Sequence, residues 1–581
     1  MPRIQNQNSH GSARISTDKP KESSARIRVN AWPVLLLLAV LGVCINATGQ
    51  AKPRPKRFKP HSIRVFSTNL VTLPSDSPLY TIRIMVRTGS AYDPPGKEGT
   101  SDLTARMLIE GGFGDPKHPT TKDKLADITR PWGDAALPRV LYDKESTTFS
   151  VTVPRDSLSE FIARVLKPMF TEPLWLQPEL DRIRREALTN IRSSLRFEDE
   201  ESLGLLALDN YVLAGTPLDH LADGSVRGLE AVTRDDLIRF YKSFYVRDNM
   251  YVATNINDPA ALTTLMDALP GTPPAHPSTP TLKTEPALFQ GRHLLIITQP
   301  NAIATGLHLG FPIDVTRRSD DYWPLFVANV FLGVHRDSFG RLYHDIRADR
   351  GYNYGDYSYT EYYEAPPFYM FPPPCTPRTQ QYFSIWIRPV DHRFTHFILK
   401  AMTAELDDFI RQGLTPEQVE SAKIKARSLY LNYAENQFRL LGYRLDDMFY
   451  GMKDHGYIQE MLAHIDAVTP DQVNAAIKKH LQTANLKYVI VTNQNGAEQL
   501  ADDIANGTNV VSKTLAEYHI AEPIPPEKQK MLDQDKQWAA FPLELPRKNI
   551  HVVKAEEMFE TAGTPGLAAG AATGDTTGDT Q

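Results

Sequence analysis

Cysteine is almost missing from this chain. Its 581 residues hold two, Cys44 and Cys375, which excludes a disulfide framework and a cysteine-rich zinc site. Excess positive charge is missing too. Sixty-four Lys and Arg face 69 Asp and Glu, a formal charge of -5, so nothing in the composition calls for nucleic acid. No Gly-rich phosphate loop and no G-x-S-x-G elbow occurs. A mean hydropathy of -0.36 excludes a multi-span membrane protein. What is present suits a globular chain: 41% hydrophobic, 23% charged and 9% aromatic residues. Forty-four prolines point to long linkers.

The apolar run at 34–45 is twelve residues long. As a helix it spans about 18 Å, short of the ~30 Å of a bilayer core. Arg3, Arg14, Lys19, Lys21, Arg26 and Arg28 precede it, and Ala47, Gly49 and Ala51 follow. This order reads as a cleavable secretory signal over residues 1–51, with an uncleaved anchor as the alternative. A lipoprotein site at Cys44 fits poorly, because Val43 stands just before it. The chain is therefore expected to be exported, either periplasmic or membrane-associated.

Six prolines between Leu269 and Pro286 mark a semi-rigid linker. The halves on either side repeat each other. Ala231-Val232-Thr233-Arg234-Asp235-Asp236-Leu237 corresponds to Ala467-Val468-Thr469-Pro470-Asp471-Gln472-Val473, an offset of 236 that holds to Asn257 and Asn493. Thr233 and Thr469 are placed to cap a helix, since a threonine hydroxyl accepts a backbone N–H of the first turn. Each helix is followed by a polar loop and an apolar strand. Upstream, Gln177-Pro178-Glu179-Leu180 and Thr415-Pro416-Glu417-Gln418 each open a long charged helix. A repeat of ~230 residues is too long for a solenoid. It predicts an α+β fold of two homologous domains, each an antiparallel sheet with helices packed on one face.

The chemistry centres on Arg87-Thr88-Gly89-Ser90-Ala91-Tyr92-Asp93-Pro94-Pro95-Gly96-Lys97-Glu98-Gly99-Thr100. A strand ends at Arg87, a Gly/Pro loop turns, and a helix starts near Thr100. With the duplication, this stretch resembles the insulinase-type peptidases, the family of pitrilysin and the mitochondrial processing peptidase. The resemblance covers roughly 60–510. It implies a helix carrying H-x-x-E-H, where two His bind Zn²⁺ and the Glu activates water, and a further Glu on a later helix. Here the motif positions read Asp102, Ala105 and Arg106. Alanine is no general base, and arginine stays protonated and cannot ligate a cation. On the later helix Asn190 takes the Glu position, with Glu186 one turn away as the alternative acid. No metal and no other cofactor is expected in this chain.

Two histidine pairs are candidate substitute ligands. His392 and His396 read as a polar first turn after Pro389, with Asp391 favouring the helix dipole. His335 and His344 read as solvated surface. Neither pair has a third ligand at zinc spacing.

A second signature is complete. Arg347-Ala348-Asp349-Arg350-Gly351-Tyr352-Asn353-Tyr354 resembles the family's R-x-x-x-G-x-x-Y element. The resemblance implies that Arg347 and Tyr354 reach toward a zinc site on a facing domain and stabilise the oxyanion of peptide hydrolysis. The expected organisation is 60–268 and 289–510 for the two peptidase-like domains, 269–288 for the linker, 511–562 for an extension and 563–581 for a disordered tail. Tyr362, Tyr363, Phe368, Tyr369 and Phe371, with the prolines between 366 and 374, form either a channel wall or a packed strand pair. By resemblance, the chain is the non-zinc subunit of a two-subunit peptidase. It would act on unfolded peptides with a zinc-bearing homologue and with no nucleic acid. The alternatives are a scaffold like the respiratory-complex core subunits, and a hydrolase with an unrecognised site.

Overall fold

Two six-stranded sheets, written one after the other in the chain, organise the molecule. The computed structural model describes residues 64–566 apart from 68, 198, 274–275, 287–289, 364–370, 453–455 and 521–522. The expected signal (1–51) and most of the expected tail (567–581) lie outside the described residues. The first sheet comprises β1 (Arg64–Ser67), β2 (Leu70–Thr72), β3 (Leu79–Val86), β4 (Arg139–Tyr142), β5 (Thr147–Pro154) and β6 (Met250–Thr254), in the order β1-β2-β6-β3-β5-β4. The second comprises β7 (His293–Gln299), β8 (Thr305–Ile313), β9 (Asp356–Tyr359), β10 (Gln381–Val390), β11 (Lys487–Asn493) and β12 (Ile550–Lys554), in the order β12-β7-β11-β8-β10-β9. This is the α+β architecture that the repeat predicts. Antiparallel pairing dominates, but β2 runs parallel to β6, and β7 runs parallel to both β11 and β12.

Helices relevant to the site are α1 (Thr100–Glu110), α2 (Gln177–Thr189), α3 (Glu200–Val212), α4 (Arg234–Phe244), α5 (Tyr322–Gly333), α6 (Pro416–Tyr433), α7 (Gln437–Phe449), α8 (Pro470–His480) and α9 (Pro526–Ala540). Thr233 and Thr469 both form capping boxes, at the starts of α4 and α8. Each threonine hydroxyl accepts the N–H of the third helical residue, and that residue's side chain accepts the threonine N–H. The two orphan donors at each helix start are thereby satisfied.

The halves exchange helices. From the first half, α3 packs on β8, β11 and β10 of the second sheet. From the second half, α7 packs on β3 and β6 of the first. There Leu441, Leu445 and Met448 meet Val71, Met85, Tyr251 and Ala253. Both helices are thirteen residues long, capped by Asp199 and Asn436, at the spacing of the sequence repeat within one residue. Near the middle of each a glycine admits a side chain from the sheet beneath. A Cβ on Gly204 would stand 2.5 Å from the His308 ring, and one on Gly442 would stand 2.2 Å from Arg83 Nη1.

Charge is buried along the seam. Arg378 donates to both Asp143 oxygens at 2.7 and 2.8 Å and to Asp209 of α3 at 2.6 Å. Lys144 also pairs with Asp209. At the matching position of α7, Asp446 accepts from Arg317 at 2.9 Å. The linker carries neither helix nor strand in its described residues. The extension beyond 510 contributes α9 and β12 and then reaches the first half. There Val226 and Arg227 donate backbone hydrogen bonds to Phe559 and Glu560. The tail is anchored at its first residue, because Gly563 N–H donates to Asp219. Among the described residues no helix is long and apolar enough to cross a membrane.

Candidate functional site

The turn between β3 and α1 is set by Asp93. Its carboxylate accepts the N–H groups of Gly99 at 2.6 Å and Ser101 at 2.7 Å, which fixes the start of the helix. Gly99 sits at φ 111° with the Leu229 side chain 2.5 Å from where a Cβ would lie, so only glycine fits. Asp102 follows in the first turn and is fully buried, with neither carboxylate oxygen hydrogen-bonded among the described residues. Burial, and then the neighbouring Asp223, push its pKa well above the usual carboxylate range. Burial raises Asp223 as well. That residue accepts from the Tyr142 hydroxyl at 2.9 Å.

Arg106, one turn along α1, leads away from this acid pair into a salt-bridge lattice. Its Nη2 donates to Glu186 of α2 at 2.6 Å. Arg182 holds Glu110, Glu179 and Glu186 at 2.8–2.9 Å, and Lys122 adds a bond to Glu110 at 2.6 Å. Burial works to raise the Glu110 pKa, but the bonds from Lys122 and Arg182 outweigh it and hold the group low. Ala105 is fully buried in the apolar core. Glu186 is therefore the residue of the later helix that meets the motif. Asn190 is exposed one turn further on, where a π-helical stretch, Asn190–Leu195, begins. A zinc ion does not fit here. Its acid is committed to two guanidinium groups, and the third residue of the set is itself a cation. Among the described residues no group of three or more His, Cys, Asp or Glu is placed to hold a metal.

The second signature is brought together. Arg347 lies on the π-helical turn Tyr343–Ala348, half-buried, with its guanidinium 4.8 Å from the Tyr343 ring centre and 5.9 Å from that of Tyr354. Gly351 reverses the chain at φ 79° and donates its N–H to Arg347 O at 2.8 Å. Tyr354 is 75% exposed. Beneath, Asn353 donates to the buried Asp356 at 2.6 Å. Burial raises the Asp356 pKa well above normal, against the opposing pull of Asn353 and Arg347. The pair can offer a guanidinium and a phenol to an oxygen approaching from outside.

Two of the histidines are buried, contrary to what the sequence suggests. His335 is not solvated surface. It is 4% exposed, lies 2.6 Å from the Tyr359 hydroxyl, and packs against Tyr357, Tyr363 and Trp386. His396 is buried rather than part of a polar turn. Desolvation and then Lys400 push its pKa down to about 4. His392 is tied to Thr305, Thr492 and the Ala302 carbonyl. Asp391 accepts the Arg393 N–H as a cap. The Pro/aromatic stretch is described only in part, since 364–370 lie outside the described residues. Tyr362 and Phe371 at its ends are core residues.

Fold and site together define a two-sheet α+β scaffold in which Arg106, Glu110, Arg182 and Glu186 form an ion-pair lattice at the positions that resemble a zinc motif. Comparison with known proteins agrees. Residues 231–425 match the family described as Peptidase M16 inactive domain. An uncharacterized zinc protease of Streptomyces coelicolor is 25% identical over 464 residues, 77% of this chain and 91% of that protein. The non-peptidase homolog YmxG of Helicobacter pylori is 22% identical over 437 residues, 72% of this chain and 90% of that protein. The fold matches the crystal structure of a peptidase M16 inactive domain from Pseudomonas fluorescens, with a TM-score of 0.61 and 19% identity, over 74% of this chain and 98% of the other. The chain is thus similar over most of its length to M16-type proteins, and its 231–425 segment matches their inactive domain.

Proposed function

We propose that this chain is the catalytically incomplete subunit of a heteromeric zinc metallopeptidase, paired with a homologue that bears H-x-x-E-H. One observation carries this reading. The metal motif is internally neutralised by the Arg106–Glu186 pair, while Arg347 and Tyr354 stand together at the surface. In such a complex the partner's H-x-x-E-H would hold the metal, which would supply activation of water. This chain contributes a guanidinium and a phenolic hydroxyl, whose N–H and O–H groups donate to the oxyanion that forms on the scissile carbonyl. The substrate is an unfolded peptide, bound by adding a strand to a free sheet edge. The basic leader and the apolar 34–45 run support export, with the complex in the periplasm or held at the membrane.

The test is reconstitution with the zinc-bearing homologue. The isolated chain should hold no stoichiometric zinc and cleave nothing. The complex should cleave unfolded peptides, and Arg347→Ala should lower kcat about 100-fold without changing assembly by size-exclusion chromatography. Full activity in the Arg347→Ala complex overturns the role in trans. A scaffold with no catalytic part is the second reading, favoured by the match to a non-peptidase homolog over most of both chains. Purification that recovers no zinc-bearing homologue supports it.

A further inference from the structure

Among the described residues β4 is an edge strand of the first sheet with no partner on its outer side, and its two faces carry opposite chemistry. Pairing aligns Arg139 of β4 with Ser150 of β5, and Ser150 with Arg83 of β3. These three therefore form one row on the face that α7 covers. Tyr142, three positions along β4, lies on the opposite face, on the side of Asp102 and Asp223. Where the Arg139 row emerges from beneath α7 there is a groove of about 420 Å³, closed on the far side by Phe438 and Pro374 of the second half.

Among the described residues, two positive charges line this groove without a counter-ion. Arg83 is 3% exposed. Its Nε donates to Ser150 Oγ at 3.1 Å, its Nη1 donates to Phe438 O at 3.0 Å, and the group lies 4.2 Å from the Phe438 ring centre. Arg139 is exposed at the mouth. Among the described residues neither arginine forms an ion pair. Arg439, also lining the groove, is neutralised by Glu435 at 2.9 Å and lies over the Phe371 ring. A buried, uncompensated guanidinium is costly, and the fold retains one at the inner end of an open groove.

We propose that this groove is an anion-accepting subsite that takes an aspartate or glutamate side chain of a peptide strand laid along β4. Side chains of an added strand alternate between the two faces of the sheet. One residue then points toward the Tyr142 face, and the next points into the groove. A carboxylate there meets the Arg139 guanidinium, with Arg83 behind it and phenylalanine rings on the walls. This assignment rests on the strand-addition reading above and adds a substrate class to it: peptides with an acidic residue at the position that faces the groove.

The experiment is affinity selection on the immobilised full chain. The probe is a library of amidated, proline-free decapeptides randomised at the central position, and bound peptides are sequenced by mass spectrometry. Asp and Glu should be enriched at least about fivefold over Asn and Gln, the scale of one partly exposed ion pair. The enrichment should vanish in Arg139→Glu, an exposed substitution that leaves the fold intact by circular dichroism, and should weaken in 0.5 M salt. If peptides bind with no acidic preference, the subsite is wrong and strand addition stands. If no peptide is retained by the wild-type chain, both are wrong.

Discussion

Arg106 on α1 donates to Glu186 on α2 at 2.6 Å, joining the two helices whose residues resemble a zinc motif. A cation fixed in the chain thus neutralises the acid of the facing helix. Metal binding should then be recoverable by exchanging the cation for ligands. The triple substitution Asp102→His, Ala105→Glu, Arg106→His is expected to retain about one zinc per chain after dialysis, measured by plasma mass spectrometry. The parent should retain none. Adding Glu186→Gln to the triple variant should abolish retention, whereas adding Asn190→Ala should leave it intact. The opposite result would make Asn190's position the true counterpart.

Asp102 is an acid buried without a hydrogen-bond partner among the described residues, and its pKa is raised chiefly by burial. At a pH below the unfolded carboxyl value of about 3.9, the group is protonated in both states and does not affect stability. As pH rises past that value the unfolded chain releases its proton while the native chain keeps it. Stability is lost until the native pKa is reached. Asp102→Asn removes this penalty. The variant should match the parent at pH 4 and exceed it by at least about 1.4 kcal/mol at pH 7, the worth of one pKa unit. Urea denaturation at the two pH values decides it, and a variant that is less stable at pH 7 sinks the account.

Much of this was readable before the structure. The repeat located both sheets, and Thr233 and Thr469 marked two helix starts because a capping hydroxyl is a local signal. The loss of the metal ligands was legible at Ala105 and Arg106 because the chemistry of those side chains alone excludes a zinc site. The choice between Glu186 and Asn190 was not legible. A π-helical stretch starts at Asn190, so the helix changes register where the decision falls. Nor could the sequence show that α3 and α7 cross to the other half, because an apolar helix does not name its partner sheet. His335 looked like surface for the same reason. The tyrosines that bury it come from β9 and beyond.

The charge in the seam is structural and should be expensive to break. Arg378 is 1% exposed, spans Asp143 and Asp209, and lies 3.4 Å from the Tyr362 ring centre. Arg378→Met keeps the length and removes the charge, leaving two buried carboxylates with Lys144 as their remaining cation. A loss of about 3–5 kcal/mol is expected in chemical denaturation. Arg378→Lys should recover only part, since one ammonium cannot bridge both acids in a bidentate manner. A loss under about 1 kcal/mol in Arg378→Met would mean that the seam is held by apolar packing alone.

The exchanged helices give the last expectation, because each reaches the opposite sheet through a glycine. At Gly204 an added Cβ meets His308 Cδ2 and Nε2 at 2.5 Å, and His308 is fully buried against Trp386 with no room to retreat. Gly204→Ala gains helix propensity worth about 1 kcal/mol, yet overpacking on this scale costs about 1–3 kcal/mol. The net change should be a loss, with α3 lifted from β8. Gly442→Ala meets Arg83 Nη1 at 2.2 Å and Pro374 at 2.7 Å and should lose stability in the same way. Gly271→Ala in the linker has nothing within 4 Å and should stay within about 0.5 kcal/mol of the parent. Equal denaturation midpoints for all three variants would show that the helices do not bear on the sheets as closely as the packing requires.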